Sequence, residues 1–194
     1  MVYYAQKLEI IFYNTLARYL VHSRWGARRS LQLVDKLKAA DDKRISILFL
    51  CNGNICRSPY AEHKAKKLLS DRKLKSTSVS SAGIATNAGK SANPTAIRVA
   101  SELNINLDNH KTTEAEPSLL SQADLIMVME PRQIRYLKNL DPRYLAKTMF
   151  LGSFGFQFDR SLIIEDPYSQ ADEIFKKCFQ RIDHALSELI NRLA

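Results

Sequence analysis

The stretch Ile45-Ser-Ile-Leu-Phe-Leu-Cys51-Asn-Gly-Asn-Ile-Cys-Arg57-Ser-Pro59 carries the strongest structural signal in this chain. Its first six residues are almost continuously apolar, which is typical of a strand buried on both faces of a parallel sheet. The glycine and asparagines that follow mark a turn. Residues Ser58–Ser70 then place alanine and leucine at helical spacing. The stretch is therefore expected to run from a buried strand through a tight loop into the N-terminus of a helix.

Short apolar runs alternate with longer amphipathic segments along the rest of the chain. Further strands are predicted at Thr77–Ala82, Asp124–Met129 and Lys147–Leu151, and helices at Pro94–Leu103, from Pro131 and from about Ala171. Such alternation is typical of α/β proteins. We therefore expect a small doubly wound four-stranded parallel sheet with helices on both faces. In sheets of this kind, ligands bind beyond the carboxyl ends of the strands.

The composition is that of a globular protein, with 45% hydrophobic and 25% charged residues in a chain of 194. No apolar run approaches the ~20 residues that a membrane-spanning helix requires. The first residues do not have the features of a signal peptide. Three cysteines are too few for a disulfide framework and suit a reducing compartment. These features predict a cytoplasmic protein.

The N-terminal quarter of the chain differs from the rest. The formal net charge is +9, and residues 1–44 hold nine basic and four acidic side chains. Apolar residues recur there at helical spacing, in one stripe of Tyr4, Leu8, Ile11, Phe12, Leu16, Tyr19 and Leu20, broken near Trp25-Gly26, and a second of Leu31, Val34 and Leu37. We predict a helical N-terminal extension over residues 1–44 that packs on the domain formed by residues 45–194 or on a second copy of the chain. Arginines beside Trp25 make a membrane-surface or partner contact the alternative.

The loop from Cys51 to Arg57 contains the groups that a thiol needs to attack a phosphate ester. The nucleophile must be a thiolate, whereas free cysteine has a pKa of about 8.5. Backbone N–H groups of a loop that enters a helix N-terminus stabilise both a thiolate and a bound phosphate. Gly53 is expected to allow the backbone conformations of the loop. Arg57 offers a planar guanidinium that can bind two phosphate oxygens, and Ser58 can donate a hydrogen bond to the sulfur.

A cysteine followed six positions later by an arginine also arises by chance. In that case Cys51 would only end a buried strand, beside a surface arginine. This alternative leaves the run Gly-Asn-Ile-Cys-Arg-Ser-Pro unexplained.

The run Cys51–Pro59 resembles the phosphate-binding signature of the low-molecular-weight protein tyrosine phosphatases, C-x-G-N-x-C-R-S-P. The resemblance continues through Ala61-Glu62, Ser81-Ala-Gly83, Asn93-Pro94, His110, Asp124–Met129, Leu151-Gly152 and Asp166-Pro-Tyr168. It covers about residues 45–194 and is closer to bacterial members than to animal ones. The resemblance implies a protein tyrosine phosphatase, a phosphoric monoester hydrolase, with residues 45–194 as its phosphatase domain.

The resemblance also implies a role for individual residues. Cys51 would form a phosphocysteine, Arg57 would hold the phosphoryl group, and Asp166 would act as general acid and then as general base. Phosphate binding and support of the loop are implied for Asn52, Gly53, Asn54, Ile55, Cys56 and Ser58, with His110 bonded to Asn54. Tyr168 and Asn52 are implied to line the substrate pocket. No cofactor is required, and the four histidines are too scattered for a metal site.

Three positions leave open questions. Asn52 stands where many relatives carry an apolar residue, so contacts to the substrate ring are expected to differ. Thr113 stands where an arginine often follows the histidine, which places part of the bracing network in doubt. Cys56 is either a small packing residue or a thiol that traps oxidised Cys51 as a reversible disulfide, which would make the enzyme redox-sensitive.

Two rival functions share this fold or motif. An arsenate reductase of the same fold needs two further cysteines after the third strand to relay a disulfide, and residues 130–140 contain none. A catalytically silent phosphotyrosine-binding module would be expected to have lost Cys51, Arg57 or Asp166, and all three are present. The basic charge does not predict nucleic-acid binding, because no recognition motif accompanies it. The bacterial resemblance instead suggests a phosphotyrosine-containing partner, such as a tyrosine kinase of exopolysaccharide assembly.

Overall fold

The structure is a computed structural model that describes residues 24–38, 44–74, 76–155 and 161–194. Its strands are β1 (Ile45–Cys51), β2 (Thr77–Gly83), β3 (Leu125–Val128) and β4 (Thr148–Phe150). Its helices are α1 (Arg24–Lys38), α2 (Arg57–Asp71), α3 (Pro94–Glu102), α4 (Pro117–Gln122), α5 (Pro131–Leu140) and α6 (Asp172–Leu193). Short 3₁₀ turns at Pro142–Lys147 and Leu151–Ser153 flank β4.

The strands form one parallel sheet of four, in the order β2-β1-β3-β4. Successive side chains of β1 point to opposite faces of this sheet. Phe49 packs with residues of α2 and α6 on one face, whereas Leu50 packs with residues of α4 and α5 on the other. Both side chains are fully buried. The predicted doubly wound fold is thus confirmed, and the continuous apolar character of β1 follows from burial on two faces.

The strand order determines where the functional loops lie. The chain leaves β1 to form β2 on one side, and β3 and β4 then occupy the other side of β1. The loops that follow β1 and β3 therefore emerge next to each other at the carboxyl edge of the sheet, where the direction of winding changes. This is the position at which doubly wound sheets bind their ligands.

Helix α4 and strand β4 are two places where the structure differs from the sequence prediction. Helix α4 was not predicted, because its six residues include a single buried one, Leu120, and show no apolar period. Strand β4 is shorter than the predicted segment Lys147–Leu151, since the flanking 3₁₀ turns include both of its end residues. These differences lie away from the loop that follows β1.

Helix α1 packs against α6 at the surface of the core. Val34 is fully buried, with Leu31 and Leu37 half-buried beside it. Asp35 accepts hydrogen bonds from Arg192 Nε and Nη2 at 2.8 and 2.9 Å, near the end of α6. The second apolar stripe of the sequence is therefore helical and contacts the core.

The first apolar stripe, Tyr4–Leu20, lies outside the described residues. Helix α1 begins at Arg24, so the interruption expected at Trp25-Gly26 falls inside the helix. None of the helices in the part of the chain that the structure describes has both the length and the apolar character needed to cross a bilayer.

Replacement of Val34 by alanine tests whether α1 belongs to the cooperative unit of the domain. The variant leaves a cavity between α1 and the core, so we expect the free energy of unfolding to fall by roughly 1–3 kcal/mol. Urea denaturation of the full chain measures this loss. Gln32→Ala, on the exposed face of the same helix, is the matched control and should change stability by less than about 0.5 kcal/mol. Equal stability of the two variants would show that α1 unfolds separately.

Candidate active site

The loop between β1 and α2 surrounds the sulfur of Cys51 with hydrogen-bond donors. The backbone N–H of Asn54 donates to Sγ at 3.2 Å, and the Ser58 hydroxyl lies 3.0 Å from the same atom. Asn54 has a φ of +53°, a left-handed conformation that asparagine tolerates better than most residues. The sequence argument attributed the conformational freedom of the loop to Gly53, and the structure adds that Asn54 is the residue with a positive φ.

Asn54 is held in place by hydrogen bonds that involve its side chain and its backbone carbonyl. Its Nδ2 donates to Ser58 Oγ at 2.8 Å and to Ser81 Oγ at 2.9 Å. Its Oδ1 accepts the backbone N–H of Thr113 at 2.8 Å, and its carbonyl lies 2.9 Å from His110 Nε2. His110 is therefore in the supporting position predicted for it. The bracing expected to weaken at Thr113 is supplied by the backbone, which does not depend on the side chain.

These contacts orient the Ser58 hydroxyl towards the sulfur. Because Asn54 donates to Ser58 Oγ, the hydroxyl hydrogen is left for an acceptor. Cys51 Sγ lies 3.0 Å away and the carbonyl of Ala82 lies 3.4 Å away, so the sulfur is the closer partner. A donor held at this distance favours negative charge on sulfur.

Gly83, the last residue of β2, lies opposite Cys51 in the sheet. A Cβ atom added to it would come within 2.9 Å of the Asn54 nitrogen and of the Gly53 carbonyl carbon. These are backbone atoms of the loop, so they could not give way without moving the loop itself. The glycine thus permits the loop to lie against the end of β2.

Arg57, the first residue of α2, is 1% exposed and reaches across the site. Nη1 donates to the carbonyl of Ile164 at 2.9 Å, and Nη2 donates to Glu130 Oε1 at 3.1 Å and to Asp166 Oδ2 at 2.5 Å. Burial by itself would lower the pKa of Arg57, but the negative charges of Cys51, Asp166 and Glu130 together outweigh it and raise the pKa.

The Nε–H group of Arg57 has no partner. Among the described residues it is the one buried side-chain nitrogen or oxygen atom without a hydrogen bond. A buried donor without an acceptor costs about 1–3 kcal/mol. A phosphoryl oxygen bound between Arg57 and Cys51 would supply that acceptor.

Glu130 and Gln133 belong to the site but were not singled out from the sequence. Glu130 lies two residues beyond the end of β3, and its carboxylate accepts from Arg57 and from Gln133 Nε2 at 3.1 Å. The buried Gln133 accepts the backbone N–H groups of Met129 and Glu130 at 3.1 and 2.7 Å. A carboxylate directly after a strand at the ligand-binding edge was the signal available in the sequence.

Asp166 lies in an exposed turn that is tied to the core at several points. Its Oδ1 accepts the backbone N–H of Tyr168 at 3.2 Å, and the Tyr168 side chain is 55% exposed. Behind the turn, the thiol of Cys178 donates to the carbonyl of Glu165 at 3.6 Å. The structure thus brings Cys51, Arg57 and Asp166 to one site, with an exposed aromatic side chain beside them.

The three cysteines are free thiols in different environments. Burial, reinforced by the nearby Cys51, raises the pKa of Cys56 far above its ordinary value. Burial also raises the pKa of Cys178, to about 12. Cys56 and Cys178 are thus held as protonated thiols near neutral pH. Trapping of oxidised Cys51 by Cys56 stays a prediction.

Comparison with known proteins identifies the family. Residues 46–194 match the family described as Low molecular weight phosphotyrosine protein phosphatase. The chain belongs to this family. It is 34% identical to the probable low molecular weight protein-tyrosine-phosphatase AmsI of Erwinia amylovora, over 77% of this chain and 97% of the relative.

Solved structures of the low-molecular-weight phosphatase family have the same fold. Wzb of Vibrio vulnificus in complex with benzylphosphonate is 39% identical, with a TM-score of 0.65 over 74% of this chain and 94% of that one. The YwlE arginine phosphatase of Geobacillus stearothermophilus is 25% identical, with a TM-score of 0.68 over 77% and 92%. The family and enzyme class predicted from the sequence, a protein-tyrosine-phosphatase, are confirmed.

Substitution of Gly83 by alanine tests the close approach of β2 to the phosphate-binding loop. We expect kcat/KM for an aryl phosphate to fall about 10- to 100-fold, because a displacement near 1 Å in a catalytic loop has an effect of this size. The control is Ser78→Ala, at an exposed position of the same strand. Activity of Gly83→Ala within two-fold of the control would contradict this account of the loop. Thermal unfolding of both variants separates loss of activity from loss of fold.

Alkylation compares the reactivity of the three thiols. A thiol with a pKa of about 12 is thiolate in fewer than one in about 10,000 molecules at pH 7.5. We therefore expect iodoacetate to modify Cys51 first and to leave Cys56 and Cys178 unmodified, as peptide mass mapping would show. All three should react once guanidinium unfolds the chain. Modification of Cys56 or Cys178 ahead of Cys51 in the folded protein would contradict the environments described above.

Proposed function

We propose that the protein hydrolyses phosphotyrosine in proteins through a phosphocysteine on Cys51. One observation above all supports this proposal. A buried arginine with an unpaired Nε–H group lies beside a cysteine whose sulfur faces a backbone N–H and a hydroxyl. This arrangement suits a tetrahedral dianion held directly over a nucleophile.

In the first step the Cys51 thiolate attacks phosphorus, and the bond from phosphorus to the phenolic oxygen breaks. The electron pair goes to that oxygen, which takes a proton from the Asp166 carboxyl group to give tyrosine. Arg57 and the loop N–H groups hold the equatorial oxygens as charge builds up on them. Asp166 contacts Arg57 directly, so it lies next to the side chain that would hold the phosphoryl group.

In the second step water attacks phosphorus and the Asp166 carboxylate takes a proton from that water. The phosphorus–sulfur bond breaks, its electron pair returns to Cys51, and inorganic phosphate leaves. The Ser58 hydroxyl is placed to donate to the departing sulfur. Both steps are complete with the groups of this chain and one water molecule.

The substrate residue is tyrosine rather than arginine in this proposal. The lip of the site carries the half-buried Ile55 and the exposed Tyr168, which can pack against an aromatic ring. Asn52 adds one polar group to this lip. Among the solved structures, the identity to the tyrosine phosphatase AmsI of Erwinia amylovora, 30%, also exceeds the 25% to the arginine phosphatase.

The bacterial relatives support a proposal about the substrate and the partner. The chain is proposed to act on phosphotyrosine-containing proteins, and among these on a tyrosine kinase of exopolysaccharide assembly. Capture by the Cys51→Ser variant from a cell extract, with the Cys51→Ser/Arg57→Ala double variant as control, tests this. Recovery of the kinase equally by both variants would count against it.

The packing of α1 supports a proposal about the domain boundary. Residues 45–194 are proposed to form the catalytic domain, and α1 to dock on it through Val34 and Asp35. The remainder of the 1–44 extension is proposed to serve as a contact to a second copy, to a partner or to a membrane surface. Liposome flotation of the full chain and of a form beginning at Lys43 distinguishes the last of these.

Three variants test the chemistry on a phosphotyrosyl peptide in the presence of EDTA. Cys51→Ser should abolish turnover, and Asp166→Ala should reduce kcat about 10²- to 10⁴-fold, the usual contribution of a general acid. Glu165→Ala, which removes a neighbouring exposed carboxylate, is the matched control and should retain activity. Equal loss in the two carboxylate variants would refute the role of Asp166.

The same assay separates the competing functions. Peptides with phosphoserine and phosphoarginine, and arsenate with a thiol reductant, serve as alternative substrates. Faster turnover of phosphoarginine than of phosphotyrosine would overturn the substrate assignment, although it would leave the role of Cys51 intact. Tight binding of phosphotyrosine without turnover would indicate a binding module.

A further inference from the structure

Arg132 lies at the rim of the site and is not used by the chemistry described above. It is the second residue of α5 and is exposed to solvent. Its Nη1 lies 3.4 Å from Oδ1 of Asn52, the residue that follows Cys51. The backbone of Asn52 is itself held in place, because its carbonyl accepts the N–H of Ala85 at 2.9 Å. The guanidinium is therefore at the lip of the pocket rather than on a remote surface.

Among the described residues, no carboxylate forms an ion pair with Arg132. The nearest carboxylate along the chain, Glu130, is turned inward and accepts hydrogen bonds from Arg57 and Gln133. Within the described parts of the chain, the contact to neutral Asn52 is the sole polar partner of Arg132. A separation of 3.4 Å is longer than a strong hydrogen bond, so this contact orients the guanidinium without neutralising it.

We propose that Arg132, oriented by Asn52, selects substrates with an acidic residue beside the phosphotyrosine. The inference rests on the proposed function and adds a substrate preference to it. A phosphotyrosine whose phosphate reaches Cys51 brings its own backbone to the rim of the pocket. Neighbouring residues of an extended peptide follow at about 3.3–3.6 Å each. A carboxylate one or two residues away thus comes within reach of an arginine at that rim.

The expected preference is modest, because the ion pair forms in contact with solvent. Exposed pairs contribute about 0.2–1 kcal/mol, which corresponds to about 1.5- to 5-fold in kcat/KM. Salt screens such pairs. The preference should therefore shrink as ionic strength rises. Any effect of the Arg132 charge on the phosphate itself is shared by all substrates, so each peptide rate is divided by the rate for a small aryl phosphate.

The test uses three phosphotyrosyl peptides that differ in the flanking residues, which are glutamate, glutamine or lysine. The full-length protein is compared with Arg132→Glu, Arg132→Lys and Arg143→Glu. Arg143 is a matched control, since it is exposed beyond the end of α5 and pairs with Asp141. p-Nitrophenyl phosphate reports the chemistry without any flanking residue. Binding of the same peptides to Cys51→Ser, with and without each arginine substitution, measures the preference independently of turnover.

We expect the acidic peptide to be favoured about 1.5- to 5-fold over the glutamine peptide by the unmodified protein and by Arg132→Lys. Once each peptide rate is divided by the same form's rate on p-nitrophenyl phosphate, Arg132→Glu should reverse the order in favour of the lysine peptide and Arg143→Glu should leave it unchanged. The proposal is overturned if Arg132→Glu keeps the acidic preference or if the unmodified protein has none. Absence of all turnover, with the acidic preference intact in binding, would instead refute the proposed catalytic function alone.

Discussion

Burial of the Arg57 charge is the constraint on which the rest of the site depends. Removal of a guanidinium from water costs several kcal/mol unless partners replace its solvent shell. The three partners here come from two separate parts of the chain: Glu130 after β3, and Ile164 and Asp166 in the segment after β4. Because all three partners bind the same side chain, the segments that follow β3 and β4 are held in a fixed position relative to Cys51. The turn that contains Asp166 belongs to the second of these segments. The parallel sheet makes this arrangement possible by delivering the loops to the same edge.

The phosphate-binding loop depends on a second network of hydrogen bonds, which is centred on Asn54. Asn54 uses its amide and its carbonyl to join the loop to β2 and to the segment that contains His110. Ser81, in turn, donates to Glu62 Oε2 at 2.5 Å, which links the loop to the second turn of α2. A loop fixed in this way meets a transition state without further ordering, which is the basis of electrostatic preorganisation.

Local patterns in the sequence were sufficient to single out the residues of the loop that follows β1. Cys51, Arg57 and Ser58 could be assigned because strand, loop and helix are contiguous and each has its own pattern. Asp166 was assigned only through the family resemblance, since an Asp-Pro pair is usually a turn. Glu130 and Ser81 could not be found by spacing, because they meet the loop only after distant strands pair. The sequence did not indicate which loop residue adopts the left-handed conformation, since asparagine and glycine both tolerate it.

The unpaired Nε–H of Arg57 links the stability of the fold to the solution around it. Substrate, product and any tetrahedral oxyanion of similar size compete for the same donor, so inorganic phosphate is a ligand of the folded state as well as a product. Such a ligand stabilises the native state by RT ln(1 + [L]/Kd), about 2.7 kcal/mol at a hundred times Kd. A melting temperature recorded in phosphate buffer therefore describes the phosphate-bound protein, whereas one recorded in a buffer without oxyanions describes the free protein. Accumulating phosphate will both protect the fold and slow the enzyme.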